Sequence, residues 1–303
     1  MVSSGGYVTT EDGIRLFFRT LGNGPQTVVI PNGMVLLDDF EHLAVNRTLI
    51  IYDLRNRGLS DRVDDGAKLE RGIHNDVDDL EAIRRHFGLG RLDLVGHSYM
   101  GLMIVLYAMK YGGNAGRMVQ VGPMEPYPGK QYPAHLTGVD DTLREVLAEL
   151  AKLQAAREPE DQEERCRKVW SVLRLIYVTH PADAGRVDWG RCDLPNERGM
   201  MRYWTRTLLP SLHALKLTEE DFARVSAPVL ILHGTRDRSA PYGGGREWAL
   251  LLPDARLVTV EEAGHAPWIE APKKVFGAIE TFLDGRWPEA AEKVESLDPG
   301  AES

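Results

Sequence analysis

The sequence predicts a mostly parallel, doubly wound α/β sheet interrupted by a helical cap insertion. Three observations carry this: short apolar runs that end in turn residues, helical patterns between them, and a long middle segment with helical patterning alone. At 303 residues, 43% apolar and 27% charged, the chain is long enough for one large core plus an insertion.

Tyr7 to Thr10 and Ile14 to Arg19 flank Glu11-Asp12-Gly13, a hairpin pattern. Thr27 to Pro31 is a β-branched run that ends in Asn32-Gly33, and Thr48 to Tyr52 ends at Asp53. Leu92 to Val95 stops at Gly96, and Val119 to Val121 at Gly122-Pro123. Val229 to Leu232 runs into His233-Gly234, and Leu257 to Val260 into Glu261. Strands this short and apolar, without alternation, require a sheet covered on both faces. Between them, His74 to Phe87 spaces Val77, Leu80, Ile83 and Phe87 by threes and fours, whereas Tyr99 to Tyr111 is apolar nearly all round. From Met124 to Pro210 the patterns are helical: Asp140 to Arg157, the charged Glu158 to Arg167, Val169 to Val178, and Glu197 to Leu209. The predicted organisation is therefore core over 1–123, cap over 124–210, core over 211–287, and a disordered tail over 288–303, rich in Glu, Ala, Pro and Ser.

A net charge of −9 argues against a nucleic-acid or anionic-membrane partner and leaves a small-molecule substrate as the expected one. No apolar run reaches the ~20 residues of a membrane span. The start, Met1 to Gly6, lacks the basic-then-apolar pattern of a signal peptide, so a cytoplasmic location is expected. Cys166 and Cys192 are too few for a disulfide framework and read as two reduced thiols.

The sharpest motif is Val95-Gly96-His97-Ser98-Tyr99-Met100-Gly101, where a buried strand becomes a buried helix. A serine on such a turn is held in a strained backbone with its oxygen clear of the sheet. Met100 stands where G-x-S-x-G has its last glycine, and Gly101 follows one place later. Capping of the following helix is the plain structural role for Ser98. Gly264-His265-Ala266-Pro267 follows the last strand, and His233-Gly234-Thr235-Arg236-Asp237 the one before it. Ser98, Asp237 and His265 thus fall in the order Ser, acid, His, each beyond a strand's C-terminal end. Histidine titrates near neutrality and can take the serine proton, while the aspartate fixes the imidazole tautomer. Two backbone N–H groups should meet the oxyanion: that of Tyr99, and one from the loop after Pro31, for which Met34 is favoured.

These residues, with Glu270, Pro272 and Tyr52-Asp53-Leu54-Arg55-Asn56-Arg57-Gly58-Leu59-Ser60, resemble the α/β-hydrolase superfamily over residues 7–285. The narrower resemblance is to proline iminopeptidase-like and esterase-like members. It implies that Asp53 and Arg55 brace the site. Asn32-Gly33, preceded by Pro31, stands in place of the family's His-Gly, and the iminopeptidase His-Gly-Gly-Pro-Gly segment is absent. Glu125, just after the sixth strand, occupies the place where some lactone-cleaving members carry their acid; Asp237 is preferred.

Other candidates have plainer readings. Asp76, Asp78, Asp79 and Glu81 open a helix, where the dipole favours negative charge. His42, His74, His86, His135, His180 and His213 share no ligand spacing, so no metal is expected. Gly243-Gly244-Gly245 reads as a flexible approach to a helix. The expectation is a serine hydrolase that needs no cofactor and cleaves an ester, lactone or amide of a small apolar or aromatic molecule. Trp170, Tyr177, Trp189, Tyr203 and Trp204 of the cap are offered for its pocket. The rivals are an aminopeptidase, a ligand receptor and an acyltransferase on the same fold.

Overall fold

The computed structural model describes residues 3–155 and 161–298. Its strands are β1 (Ser3–Thr9), β2 (Arg15–Leu21), β3 (Gln26–Pro31), β4 (Arg47–Tyr52), β5 (Leu92–His97), β6 (Ala115–Val121), β7 (Val229–Gly234) and β8 (Ala255–Val260). They form one sheet in the order β1-β2-β4-β3-β5-β6-β7-β8. The β1–β2 hairpin and the β2–β4 pair are antiparallel, and all later pairings are parallel. The chain runs outward from β3 to β4 and then returns past β3 to β5. The strand order therefore reverses between β3 and β5, and a crevice opens at their C-terminal ends.

Both faces of the sheet are covered, which is why its strands lack alternation. Val29 and Ile50 face one apolar cluster, while Val28, Ile30, Leu49 and Ile51 face the other. α1 (Gly33–Phe40) follows β3, α2 (Ile73–His86) precedes β5, and α3 (Tyr99–Lys110) follows it. Every residue of α3 from Tyr99 to Ala108 is buried, as its all-round apolar sequence requires.

Between β6 and β7 lie α4 (Asp141–Ala155), α5 (Gln162–Leu173) and α6 (Pro195–Tyr203). The charged and apolar stretches read separately around residue 168 are one helix, α5, capped by the Asp161 side chain on Glu163 N. The part of that reading over 156–160 lies outside the described residues. A π-helical turn, Trp204–Leu208, continues α6.

Three expectations are corrected. Cys166 and Cys192 are not free thiols but a disulfide; α5 brings one beside the loop that carries the other, 26 residues on. Gly243-Gly244-Gly245 is not a flexible approach but the tight start of α7 (Tyr242–Leu251). A Cβ at Gly245 would come within 2.3 Å of His233 Nδ1, and one at Gly244 within 2.8 Å of Glu125 Cβ. The tail is packed as far as Asp298. Glu292 bridges Leu257, and the Arg246 guanidinium donates to the carbonyls of Ser296 (2.9 Å) and Leu297 (2.8 Å). Such backbone contacts leave no apolar pattern to read. Residues 299–303 lie outside the described residues. α8 (Pro272–Leu283) closes the core. No helix among the described residues is long and apolar enough to cross a membrane.

Candidate active site

Ser98 sits between β5 and α3 with φ 58° and ψ −125°, a left-handed conformation costly for a residue with a Cβ. Its N–H donates to the Val121 carbonyl (3.0 Å), and its own carbonyl accepts from Gly101 (2.9 Å) and Met124 (3.1 Å). Its side chain makes no capping bond, so capping is not what it does here. A Cβ at Gly96 would come 2.5 Å from the Met100 carbonyl oxygen, and one at Gly101 2.9 Å from Pro123 Cβ. The second glycine is thus needed at 101, and Met100 lines the cavity instead.

His265 and Asp237 are both buried. His265 Nδ1 donates to Asp237 Oδ2 over 2.8 Å, which makes Nε2 the acceptor nitrogen of the neutral imidazole, and Nε2 has no hydrogen-bond partner. Asp237 Oδ1 accepts the N–H groups of Ser239 and Ala240, each 2.8 Å, and His233 Nε2 reaches Oδ2 at 3.2 Å. Burial works to raise this carboxyl, but His265 and His233 outweigh it and hold its pKa well below the usual range. Ser98 and His265 line one cavity of about 350 Å³. No hydrogen bond joins their side chains among the described residues; such bonds are often long until substrate closes the site.

Glu125 also lines the cavity, but its Oε1 accepts Gly129 N (2.8 Å) and the imidazole's partner is Asp237. The oxyanion reading of Met34 is corrected. Its N–H donates to Asp53 Oδ1 (2.8 Å), and its side chain lines a separate crevice. Asn32 is the residue of that loop that lines the cavity. It is left-handed (φ 68°), its side chain does not cap α1, and its Oδ1 has no partner. Tyr99 lies directly after Ser98 at the first position of α3, where backbone N–H groups have no intrahelical acceptor.

The loop after β4 braces the site, as its motif implies. Asp53 also accepts Leu59 N (2.9 Å), and Arg55 is gripped by Asp79 (2.6 and 2.7 Å) and Asp12 (3.1 Å). Asp76, Asp79 and Glu81 lie on α2, Asp76 in its first turn, and all three are buried. Sequence reasoning missed several supports. His97, which burial and His265 keep neutral, donates Nε2–H to the His265 carbonyl (3.0 Å). Glu270 accepts Gly264 N (2.6 Å) and Thr179 N (2.7 Å), so it ties the histidine loop to the cap. Arg57 pairs with Glu197 of α6 at 3.0 Å. The positions of His97, Glu270 and Arg57 inside the quoted motifs could have signalled them.

Trp170, Leu173, Tyr177, Trp189, Met200 and Trp204 form the cap wall of the cavity. Among the described residues no group of three His, Cys, Asp or Glu side chains is placed to hold a metal ion.

Residues 35–272 match the α/β-hydrolase fold family, and the chain belongs to it. It is 26% identical over 287 residues to the pimeloyl-[acyl-carrier protein] methyl ester esterase of Chromobacterium violaceum, spanning 89% of this chain and 99% of that protein. It is 23% identical over 293 residues to the proline iminopeptidase of Saccharolobus solfataricus, spanning 90% of each. A bromoperoxidase from Bacillus anthracis shares the fold, with a TM-score of 0.69 at 18% identity over 93% of this chain and 100% of that one.

Proposed function

We propose that the protein is a serine hydrolase that cleaves a carboxylic ester of a small, largely apolar or aromatic molecule. The observation that carries this is the buried Asp237–His265 pair, its free Nε2 in the same cavity as a left-handed Ser98. His265 Nε2 takes the Ser98 hydroxyl proton as Oγ bonds to the ester carbonyl carbon. The carbonyl oxygen becomes an oxyanion, met by the Tyr99 N–H and by the Asn32 side-chain amide. Collapse breaks the bond to the alkoxide, which leaves with the proton from His265. Water, deprotonated by the same nitrogen, then releases the acid and restores Ser98. Asp237 keeps its charge throughout and stabilises the imidazolium. The aromatic cap wall supports an apolar or aromatic substrate, and the esterase relative supports the choice of ester over amide.

A p-nitrophenyl ester compared with a prolyl arylamide tests the reading. The ester is expected to have the higher kcat/KM by tenfold or more, about 1.4 kcal/mol in transition-state binding. A tenfold preference for the arylamide would make the aminopeptidase reading the correct one.

A further inference from the structure

Asp76 carries a carboxylate oxygen that the fold leaves without a partner. It lies in the first turn of α2, 1% exposed, on the wall of the Ser98 cavity. Its Oδ2 accepts the Tyr99 hydroxyl, and its Oδ1 has no hydrogen bond. A buried acceptor left open is costly, and this one borders a space that a ligand can fill. The cations nearby are already matched: Arg55 by Asp79 and Asp12, Arg57 by Glu197. Asp76 forms no ion pair with either of them. Aromatic rings stand around it, with Tyr203 and Trp204 on the same wall and the Tyr99 and Trp204 rings edge to face at 5.8 Å.

We infer that this end of the cavity is a recognition subsite for substrates bearing a protonated amine, which donates to Asp76 Oδ1 against the aromatic rings. An open carboxylate in a locally negative, aromatic setting favours an ammonium over a neutral hydroxyl and repels a carboxylate. Burial, with the charge of Asp79 beside it, pushes the Asp76 carboxyl up to about 7, against the Tyr99 hydrogen bond and the charges of Arg55 and Arg57. Tyr52, Tyr99 and Tyr203, the hydroxyls near it, are pushed up by burial and do not titrate in this range. Asp79, raised by burial to about 6, titrates nearby but holds Arg55. An ammonium is therefore held strongly above pH 7 and weakly below it, where Asp76 takes up a proton.

The inference rests on the cavity being the substrate pocket, and binding to Ser98→Ala protein reads it without turnover. Calorimetry with hexan-1-amine, hexan-1-ol and hexanoate on that protein is the test. The amine is expected to bind at least tenfold more tightly than the alcohol at pH 8, with the advantage shrinking towards unity at pH 5.5. Asp76→Asn in the same background should abolish the advantage while leaving alcohol binding in place. Equal or tighter binding of the alcohol or the carboxylate, an advantage independent of pH, or one that survives Asp76→Asn would overturn the subsite. The pH series uses the chain with Asp76 intact and so decides even if the variant fails to fold. Loss of amine selectivity beside intact ester hydrolysis would remove the subsite alone.

Discussion

His265 is held from three sides: Asp237 accepts the hydrogen bond from its Nδ1–H, His97 binds its carbonyl, and the Tyr177 ring stacks against it at 5.4 Å. Asp237→Asn would offer the imidazole a donor as well as an acceptor and free it to take the wrong tautomer. kcat should fall by about 10⁴, the scale known for such a change. Glu125→Gln should cost far less, since its contact is with Gly129. Steady-state kinetics of the two variants would show it, and the reverse ranking would move the acid to Glu125. Asn32→Leu should lower kcat by roughly 10²–10³ with little change in KM, the cost of one lost oxyanion donor. An unchanged kcat would exclude the side chain from that role. That Ser98, Asp237 and His265 lie beyond strand ends was legible because their types, order and positions are local facts. Met34 was misread because the direction of a single N–H depends on the carboxylate of Asp53, 19 residues away.

The cap elements are tied down by contacts that no periodicity announces. Trp170, Leu173, Tyr177 and Trp189 all lie in the loop closed by Cys166–Cys192, so the disulfide constrains the segment that forms much of the cavity wall. The counting of cysteines excluded a framework, yet only the placement of α5 against the loop before α6 could reveal a single staple. Replacing both cysteines by serine should lower stability by about 3 kcal/mol, the loop-closure scale for a segment of this length. It should also raise KM more than it lowers kcat, because the wall loosens while the loops after β7 and β8 keep their own bonds. Thermal unfolding and ester kinetics with and without dithiothreitol are the check. Equal melting points and equal KM values would show the staple to be idle. α7 gives the same lesson. Three glycines in a row read as looseness, but they let the helix press on His233 and Glu125, partners that sequence spacing does not expose.

At the scale of the whole molecule, the sheet was legible because both of its faces are buried, which leaves short apolar runs wherever a strand crosses the core. The reversal between β3 and β5 sets Asn32 and Ser98 on the wall of one crevice, and the loop after β8 brings His265 to it, backed by Asp237 from the loop after β7. The α2 acids were noticed but their burial was not legible, because it depends on partners far along the chain. Asp79 meets Arg55, 24 residues away, and Asp76 meets Tyr99, 23 residues away. The proposed mechanism turns on one oxygen, Ser98 Oγ. The most direct test is labelling of the intact protein with a fluorophosphonate probe, followed by peptide mapping. The label is expected on Ser98 alone, with Ser98→Ala neither labelled nor able to turn over a p-nitrophenyl ester. Turnover by Ser98→Ala at the wild-type rate, or a label on another serine, would contradict it.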